Sequence, residues 1–467
     1  MTDPHIDIRR HIALPVTEQI SAGLRAAIRE ERLAAGTRLP SWRDLASQLG
    51  VARGTVRAAY ETLIDEQLIV SSGAAGTHVA RRMPPLPRDD VQPLTPAVAR
   101  DPFDNHPRTG GIFQMGVPAQ DAFPTAVWSR MLVRAARDAA TAPLHYPDPR
   151  GVPDLRAQIA AYLAVARGMV CSPAQIFVTS GHAASLSLAV QALGLRGTAW
   201  TEDPGYPTTR RVLAALGIAT VPVPVDAEGL DVAAGEARAP DAALAVVTPG
   251  QQAPLGVVLS PVRRAALLDW AARTGAWVVE DDYLSELQLQ GRAAPSLAAQ
   301  DPAGRVLHIG TFSKTISPTL RLGFLVVPPA LAQRFDDTAV QLGSAPAPLV
   351  QHAVAAFMQG GHQLRHLRRM KRLYAARRDA VAAQLDAAGM TYRRTGLALL
   401  LRLPPGTPDL ALANAARQEG LAPVPFSLWY AQPAPEQTGL MLGATNVPES
   451  EAAARVQQLR TLIARMT

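Results

Sequence analysis

The chain has 467 residues, of which 48% are hydrophobic and 18% charged, with a formal net charge of +7. That length predicts two to four domains with ample core, and the modest positive charge permits a nucleic-acid partner without requiring one. A single cysteine excludes an internal disulfide and a Cys-rich zinc site, so no metal is expected. No apolar run approaches the roughly 18 residues of a membrane span, and no basic-then-apolar leader opens the chain, which predicts a cytoplasmic protein with no membrane partner.

Residues 12–80 are dense in helical periodicity. Ile20, Leu24, Ala27 and Ile28 keep one apolar helical face, which the Gly36–Ser41 stretch breaks. Leu45, Ala46 and Leu49 mark a short helix and Gly50 turns the chain. Val51, Val56 and Leu63 then bury the next helix, leaving Arg53, Thr55 and Arg57 on an exposed face. This is a helix-turn-helix order, with the second helix presented to a major groove. Residues 68–79 alternate around a glycine-rich tip as a β-hairpin wing would. The stretch resembles the GntR-type winged helix. The resemblance implies that Arg43, Arg53, Thr55, Arg57 and the wing tip at Gly76 approach DNA, each arginine either reading a guanine edge or holding a phosphate. Ala52 and Gly54 depart from the polar residues usual there. Residues 1–82 hold 11 arginines against 9 carboxylates, so the head alone is only weakly basic and binding should need two copies.

Residues 81–112 contain Pro84, Pro85, Pro87, Pro93, Pro96, Pro102 and Pro107 with no sustained apolar period, which predicts a linker. From residue 113 to 467, apolar runs alternate with amphipathic helices. Strands are predicted at Ile176–Thr179, Thr198–Thr201, Leu244–Val247, Trp277–Glu280, Val306–Ile309 and Phe324–Val327, and helices at Leu155–Ala166, Ala183–Leu193 and Pro261–Thr274. The alternation predicts an α/β fold, a largely parallel sheet covered by helices on both faces, over residues 113–345. Long helices at Gln363–Ala388 and Ala452–Arg465 around weaker strands predict a smaller α+β lobe over 346–467.

Several tracts here point to pyridoxal 5'-phosphate (PLP). Only two of the chain's 46 basic residues are lysines, and one is Lys314 in Gly310-Thr311-Phe312-Ser313-Lys314-Thr315. Arginine cannot replace an amine that must attack an aldehyde, because guanidinium stays protonated. Ser180-Gly181-His182-Ala183 opens a helix after a strand, where free N–H groups and the helix dipole suit a phosphate. Tyr206 in Glu202-Asp203-Pro204-Gly205-Tyr206 is placed to stack on a cofactor ring. Asp281 at a strand end is placed to pair with a protonated pyridine nitrogen, and Tyr283 to bond the phenolic oxygen. Thr311, Ser313 and Arg321 add phosphate donors.

With His145–Gly151 and Leu320-Arg321-Leu322-Gly323, these tracts resemble the fold-type I aminotransferase domain of MocR-type GntR regulators, a resemblance covering nearly the whole chain. It implies that Lys314 carries PLP as a Schiff base, that Asp281 and Tyr283 hold the ring, and that the protein is a head-to-tail homodimer presenting two heads to paired half-sites. Transaminases usually carry Asn-Pro-x-Gly, where this chain has Ala253-Pro254-Leu255-Gly256, leaving Gln251 or Gln252 to substitute. Met441 aligns with the arginine that clamps a substrate carboxylate, and Pro207, Thr208 and Thr209 precede Arg210 and Arg211 where a relative's arginine follows the tyrosine directly. The leading expectation is a regulator that binds operator DNA and senses PLP or an amine reacting with it. The alternative is a working aminotransferase carrying a DNA-binding head.

Overall fold

The computed structural model describes residues 8, 14–73, 76–81, 111–143, 145–289, 291, 293–343 and 345–466. The chain divides into two compact units between Ala99 and Arg100. The segment expected to be a linker lies outside the described residues, apart from Arg81, Gly111 and Ile112.

In the first unit, α1 (Val16–Arg29), α2 (Trp42–Leu49) and α3 (Arg53–Asp65) are followed by the antiparallel hairpin β1 (Ile69–Ser71) and β2 (Thr77–Val79). The Ser41 hydroxyl caps α2 by accepting from the Asp44 N–H at 3.2 Å. Gly50 ends α2 at φ 63°, a left-handed conformation that costs glycine nothing. Ile20, Leu24, Val56 and Leu63 meet Leu45, Leu39 and Val79 in one core. The Tyr60 hydroxyl donates to the Pro40 carbonyl at 2.8 Å, fixing α3 against the turn that starts α2.

In the second unit, α4 (Thr125–Thr141) and α5 (Pro153–Ala166) precede β3 (Ile176–Thr179) and α6 (His182–Leu193). Then come β4 (Thr198–Asp203), α7 (Pro207–Ala215), β5 (Ala219–Asp226), β6 (Gly229–Leu230), α8 (Val232–Arg238), β7 (Leu244–Val247) and α9 (Pro261–Thr274). The large lobe continues with β8 (Trp277–Asp282), β9 (Val306–Thr311), β10 (Gly323–Val326), α10 (Ala332–Leu342) and α11 (Pro348–Gln359). The eight strands lie in the order β3-β10-β9-β8-β7-β4-β5-β6. The run β5-β4-β7-β8-β9 is parallel, while β10 is antiparallel to both its neighbours. Leu186, Leu193, Leu213 and Phe335 of α6, α7 and α10 cover one face. Ile159, Val354 and Phe357 of α5 and α11 form a second cluster and Leu267 and Trp270 of α9 a third, with Trp270 stacked on Trp200 at 3.9 Å.

The six expected strands all occur, with β4, β8 and β9 each running two residues past the expected end. Their terminal acids and hydroxyls therefore belong to the sheet edge. β5 escaped the sequence reading because Pro222 and Pro224 interrupt it. Those prolines are tolerated because the antiparallel neighbour β6 pairs only with Val225 and Asp226.

The long helix α12 (His362–Ala387) leads into β11 (Tyr392–Thr395), β12 (Ala398–Arg402), α13 (Asp409–Gln418), β13 (Val424–Pro425), β14 (Gly439–Gly443) and α14 (Ala452–Met466). The four strands form an antiparallel sheet in the order β11-β12-β14-β13. Leu399, Leu401, Leu440 and Leu442 point to the lobe's own core with Val456 and Leu459. Their neighbours Leu400 and Met441 fall on the opposite face.

Candidate functional site

The carboxyl ends of β4, β8 and β9 and the N-terminus of α6 meet where ligands bind in open α/β sheets. Strand parity sorts the acids of β8. Glu280 and Asp282 share one face: Glu280 accepts from the Leu297 and Ala298 N–H groups and lies 3.1 Å from His308 Nδ1, and Asp282 accepts from Arg167 Nε at 2.6 Å. Asp281 faces the other way, its Oδ2 3.0 Å from His182 Nδ1. His182 Nε2 lies 3.0 Å from Thr209 Oγ1, and its ring meets Tyr206 edge-on at 5.7 Å. His182, expected in the phosphate turn, thus aims its imidazole at Asp281.

Lys314 follows β9 and is half-buried, its Nζ donating to the Gly116 carbonyl at 2.9 Å. Burial pushes its ammonium below the usual lysine range, with Asp281 opposing and Arg321 assisting. A Cβ on Gly116 would stand 2.5 Å from Nζ, and the φ of +71° there already favours glycine. The Tyr283 hydroxyl hydrogen-bonds Gln251, and burial followed by the negative field of Asp281 keeps it protonated. Burial also raises the Tyr206 phenol, whose neighbours include Thr208, Arg211 and Arg321.

Around the start of α6, Gly181 adopts φ 112°, and a side chain there would project into open space. Gly323 backs this turn: a Cβ on it would lie 3.0 Å from the Gly181 Cα. Ser180, Ala183, Thr311 and Ser313 are half-buried, and Ser313 N–H donates to Thr311 Oγ1 at 3.1 Å. Arg321 is left-handed at φ 48° and ψ 50°, a strained conformation for arginine that presents it at the rim.

The two glutamines left open by the sequence have different surroundings. Gln252 donates to Glu202, Pro204 O and Ala253 O, a brace within the loop. Gln251 is the one beside Tyr283. Sequence reasoning missed Glu202 as a site residue. It is buried, accepts from Thr248 N–H at 3.0 Å and Thr248 Oγ1 at 2.6 Å, and lines a small cavity with Thr201, Thr209 and Asp281. Burial raises its pKa to about 7. Its signal in the sequence is an acid near the carboxyl end of β4, whose partner Thr248 lies 46 residues away.

In the first unit, Arg53 and Arg57 are exposed on α3 and Thr55 is half-buried between them. Arg57 pairs with Glu61 at 2.9 Å, and Arg43 lies over the Trp42 ring. Gly76, at φ 91°, has Arg38 Nε 3.0 Å from the position a Cβ would take. Arg38, exposed at the wing tip and bridged to His78, was not singled out from sequence.

Comparison with known proteins agrees with both halves of this build. The aminotransferase class I and II family model matches residues 119–436, and that of the bacterial regulatory proteins, gntR family, matches residues 16–79. The chain is 35% identical to the probable rhizopine catabolism regulatory protein MocR of Rhizobium meliloti, covering 97% of this chain and 94% of that one. The chain belongs to the MocR-type GntR regulators. It is also 32% identical to the HTH-type pyridoxine biosynthesis transcriptional regulator PdxR of Corynebacterium glutamicum, over 84% of each chain. Among solved structures, the α-aminoadipate aminotransferase LysN of Thermus thermophilus, complexed with N-(5'-phosphopyridoxyl)-L-leucine, superposes with a TM-score of 0.70 at 26% identity, covering 79% of this chain and 96% of that one. Among the described residues, no helix is long and apolar enough to cross a membrane.

Proposed function

We propose that this protein is a transcription regulator whose N-terminal unit binds double-stranded operator DNA and whose C-terminal unit holds PLP and senses either PLP itself or an amine that reacts with it. The observation that carries the reading is the convergence of Lys314, Asp281, Tyr283 and Tyr206 at one sheet edge, in a chain whose other unit is a GntR head. The division of labour is residues 1–80 for DNA, 81–112 as connection and 113–467 for the ligand.

The residues present fit the cofactor. The open turn at Gly181 and the N-terminus of α6 suit a phosphate, joined by Ser180, Thr311, Ser313 and Arg321. When bound, PLP supplies a reactive carbonyl for amines. Lys314 gives the attacking nitrogen, and its lowered pKa raises the fraction of neutral amine. Asp281 offers a carboxylate to a ring nitrogen, steadied by His182 and Thr209. Tyr283, protonated and tied to Gln251, is a donor for a ring oxygen, and Tyr206 provides a flat apolar face.

A homodimer, head-to-tail as in aminotransferase folds, presents two heads to paired half-sites. Ligand must favour one arrangement of the heads over another for anything to be switched. The aminotransferase alternative has less support, because the relatives matched over most of the chain are named transcription regulators. A gel shift on the chain's own upstream DNA tests the DNA half: Arg53→Ala with Arg57→Ala should abolish it. Lys314→Ala should remove the visible absorption of lysine-bound PLP while preserving the fold; a surviving band would sink the lysine assignment.

A further inference from the structure

The chain's other lysine, Lys371 of α12, lines a cavity of about 320 Å³, within the range of small-molecule sites. No residue assigned to the PLP site lines it. Tyr162 of α5 and Arg167 just beyond that helix form one wall, and Glu286 in the turn after β8 forms a second. Leu367, Arg368 and Lys371 of α12 form a third. The cavity lies toward the Asp282 face of β8, since Arg167 Nε donates to Asp282 at 2.6 Å, whereas Asp281 faces His182 on the other side.

Two polar atoms in these walls lack partners. Arg167 is 3% exposed; its Nη1 donates to the Ala294 carbonyl at 2.7 Å, but its Nη2 has no hydrogen-bond partner among the described residues. Glu286 is hydrogen-bonded to Tyr162, yet its Oε2 is likewise buried and unpartnered. Buried donors and acceptors are seldom left unpaired, so one of each orphaned in the walls of a single cavity marks a place for a polar guest. The charges favour an anion. Asp282 offsets Arg167. Arg368 is exposed and Lys371 half-buried, and no ion pair engages either among the described residues. Glu286 opposes a guest anion only weakly, because burial and the field of Asp282 raise its pKa to about 7 and leave it partly protonated at neutral pH.

We propose that this cavity is a second ligand site, separate from Lys314, and that it takes a small organic monocarboxylate with an apolar body. The carboxylate accepts from Arg167 and is drawn by Arg368 and Lys371, a charge-assisted contact stronger than a neutral one. The body lies against Leu367 and the Tyr162 ring, burying apolar surface. Inorganic phosphate is the poorer guest, because Asp282 and Glu286 repel a second negative charge and phosphate offers nothing to the apolar walls. An amine is opposed by the three cations. The proposal goes beyond the reading of Lys314 as the PLP lysine and does not depend on it.

The test is a matched pair, benzoate and its neutral isostere benzamide, neither of which carries an amine that reacts with PLP. Each is titrated by calorimetry into the full-length chain supplied with PLP, and the visible band is recorded on the same sample. The wild type should bind benzoate more tightly by about tenfold or more, the scale of a charge-assisted hydrogen bond. Arg368→Met with Lys371→Met should erase that preference and leave the visible band intact. Ala166→Trp, at an exposed position on the α5 wall, fills the cavity without changing its charge and should abolish binding of both compounds. Lys314→Ala should bind benzoate as the wild type does. No saturable binding of benzoate, equal affinity for the two compounds, or tighter binding of inorganic phosphate would each overturn the proposal. So would a preference lost in Lys314→Ala and kept in the α12 variant, which places the anion at Lys314 instead. A failure of the cofactor reading shows separately, as absence of the visible band.

Discussion

Gly116 illustrates how closely the Lys314 environment is set at the level of single residues. The lysine amine is held by a carbonyl whose own residue has no room for a side chain. Gly116→Ala should displace Nζ and weaken uptake of PLP by about tenfold, without the complete loss expected of Lys314→Ala. Absorbance titration with PLP checks this, and unchanged affinity would contradict the contact. Glu202 gives a pH prediction. Its folded pKa of about 7 lies above the unfolded carboxylate value of 4.5, so between those two the folded state keeps a proton that the unfolded state has lost. Stability therefore falls as pH rises from about 4.5 to 7, by at most on the order of 3 kcal/mol. Buried Glu286 acts in the same direction, so the informative quantity is a difference. Glu202→Gln should melt progressively higher than wild type as the pH is raised through this window; a pH-independent gap would refute it. Lys314, Asp281 and Tyr283 were legible because scarcity and an alternating strand end mark them. Glu202 and Gly116 were not, because their roles depend on contacts 46 and 198 residues away in sequence.

Among the elements, the expected helices and strands were read from periodicity, and the errors have physical causes. β4, β8 and β9 extend two residues beyond their apolar runs because neighbouring strands supply the backbone pairing that polar ends would not attract alone. β10 is antiparallel, which no pattern within its own four residues can signal. In the head, α3 and the wing were legible, but Arg38 sits in the break before α2 and meets the wing only once the chain is folded, where it bridges His78 and lies beside Gly76. Arg38→Ala should weaken binding to any DNA sequence and reduce the salt slope by about one, as the loss of one phosphate contact does. Fluorescence anisotropy across a salt series measures this. Removing Arg57 should have a different profile if it reads a base, with the loss confined to particular sequences.

At the scale of the whole molecule, function requires two units to answer one another. One head carries a small positive excess, so two linked heads on two half-sites should bind far more tightly than one, through effective concentration alone. A variant that disrupts the proposed homodimer should accordingly lose operator affinity by about a hundredfold or more while its heads remain folded. The link to the ligand is a difference in DNA affinity between ligand states, and it must vanish when the ligand has no anchor. The most direct measurement is the affinity of the full-length chain for its own upstream DNA, with and without PLP, in wild type and Lys314→Ala side by side. A PLP-dependent shift of several-fold in wild type and none in Lys314→Ala is the predicted result. Identical curves for the two proteins, or sustained turnover of an amino donor and keto acid with no effect on DNA binding, would contradict it.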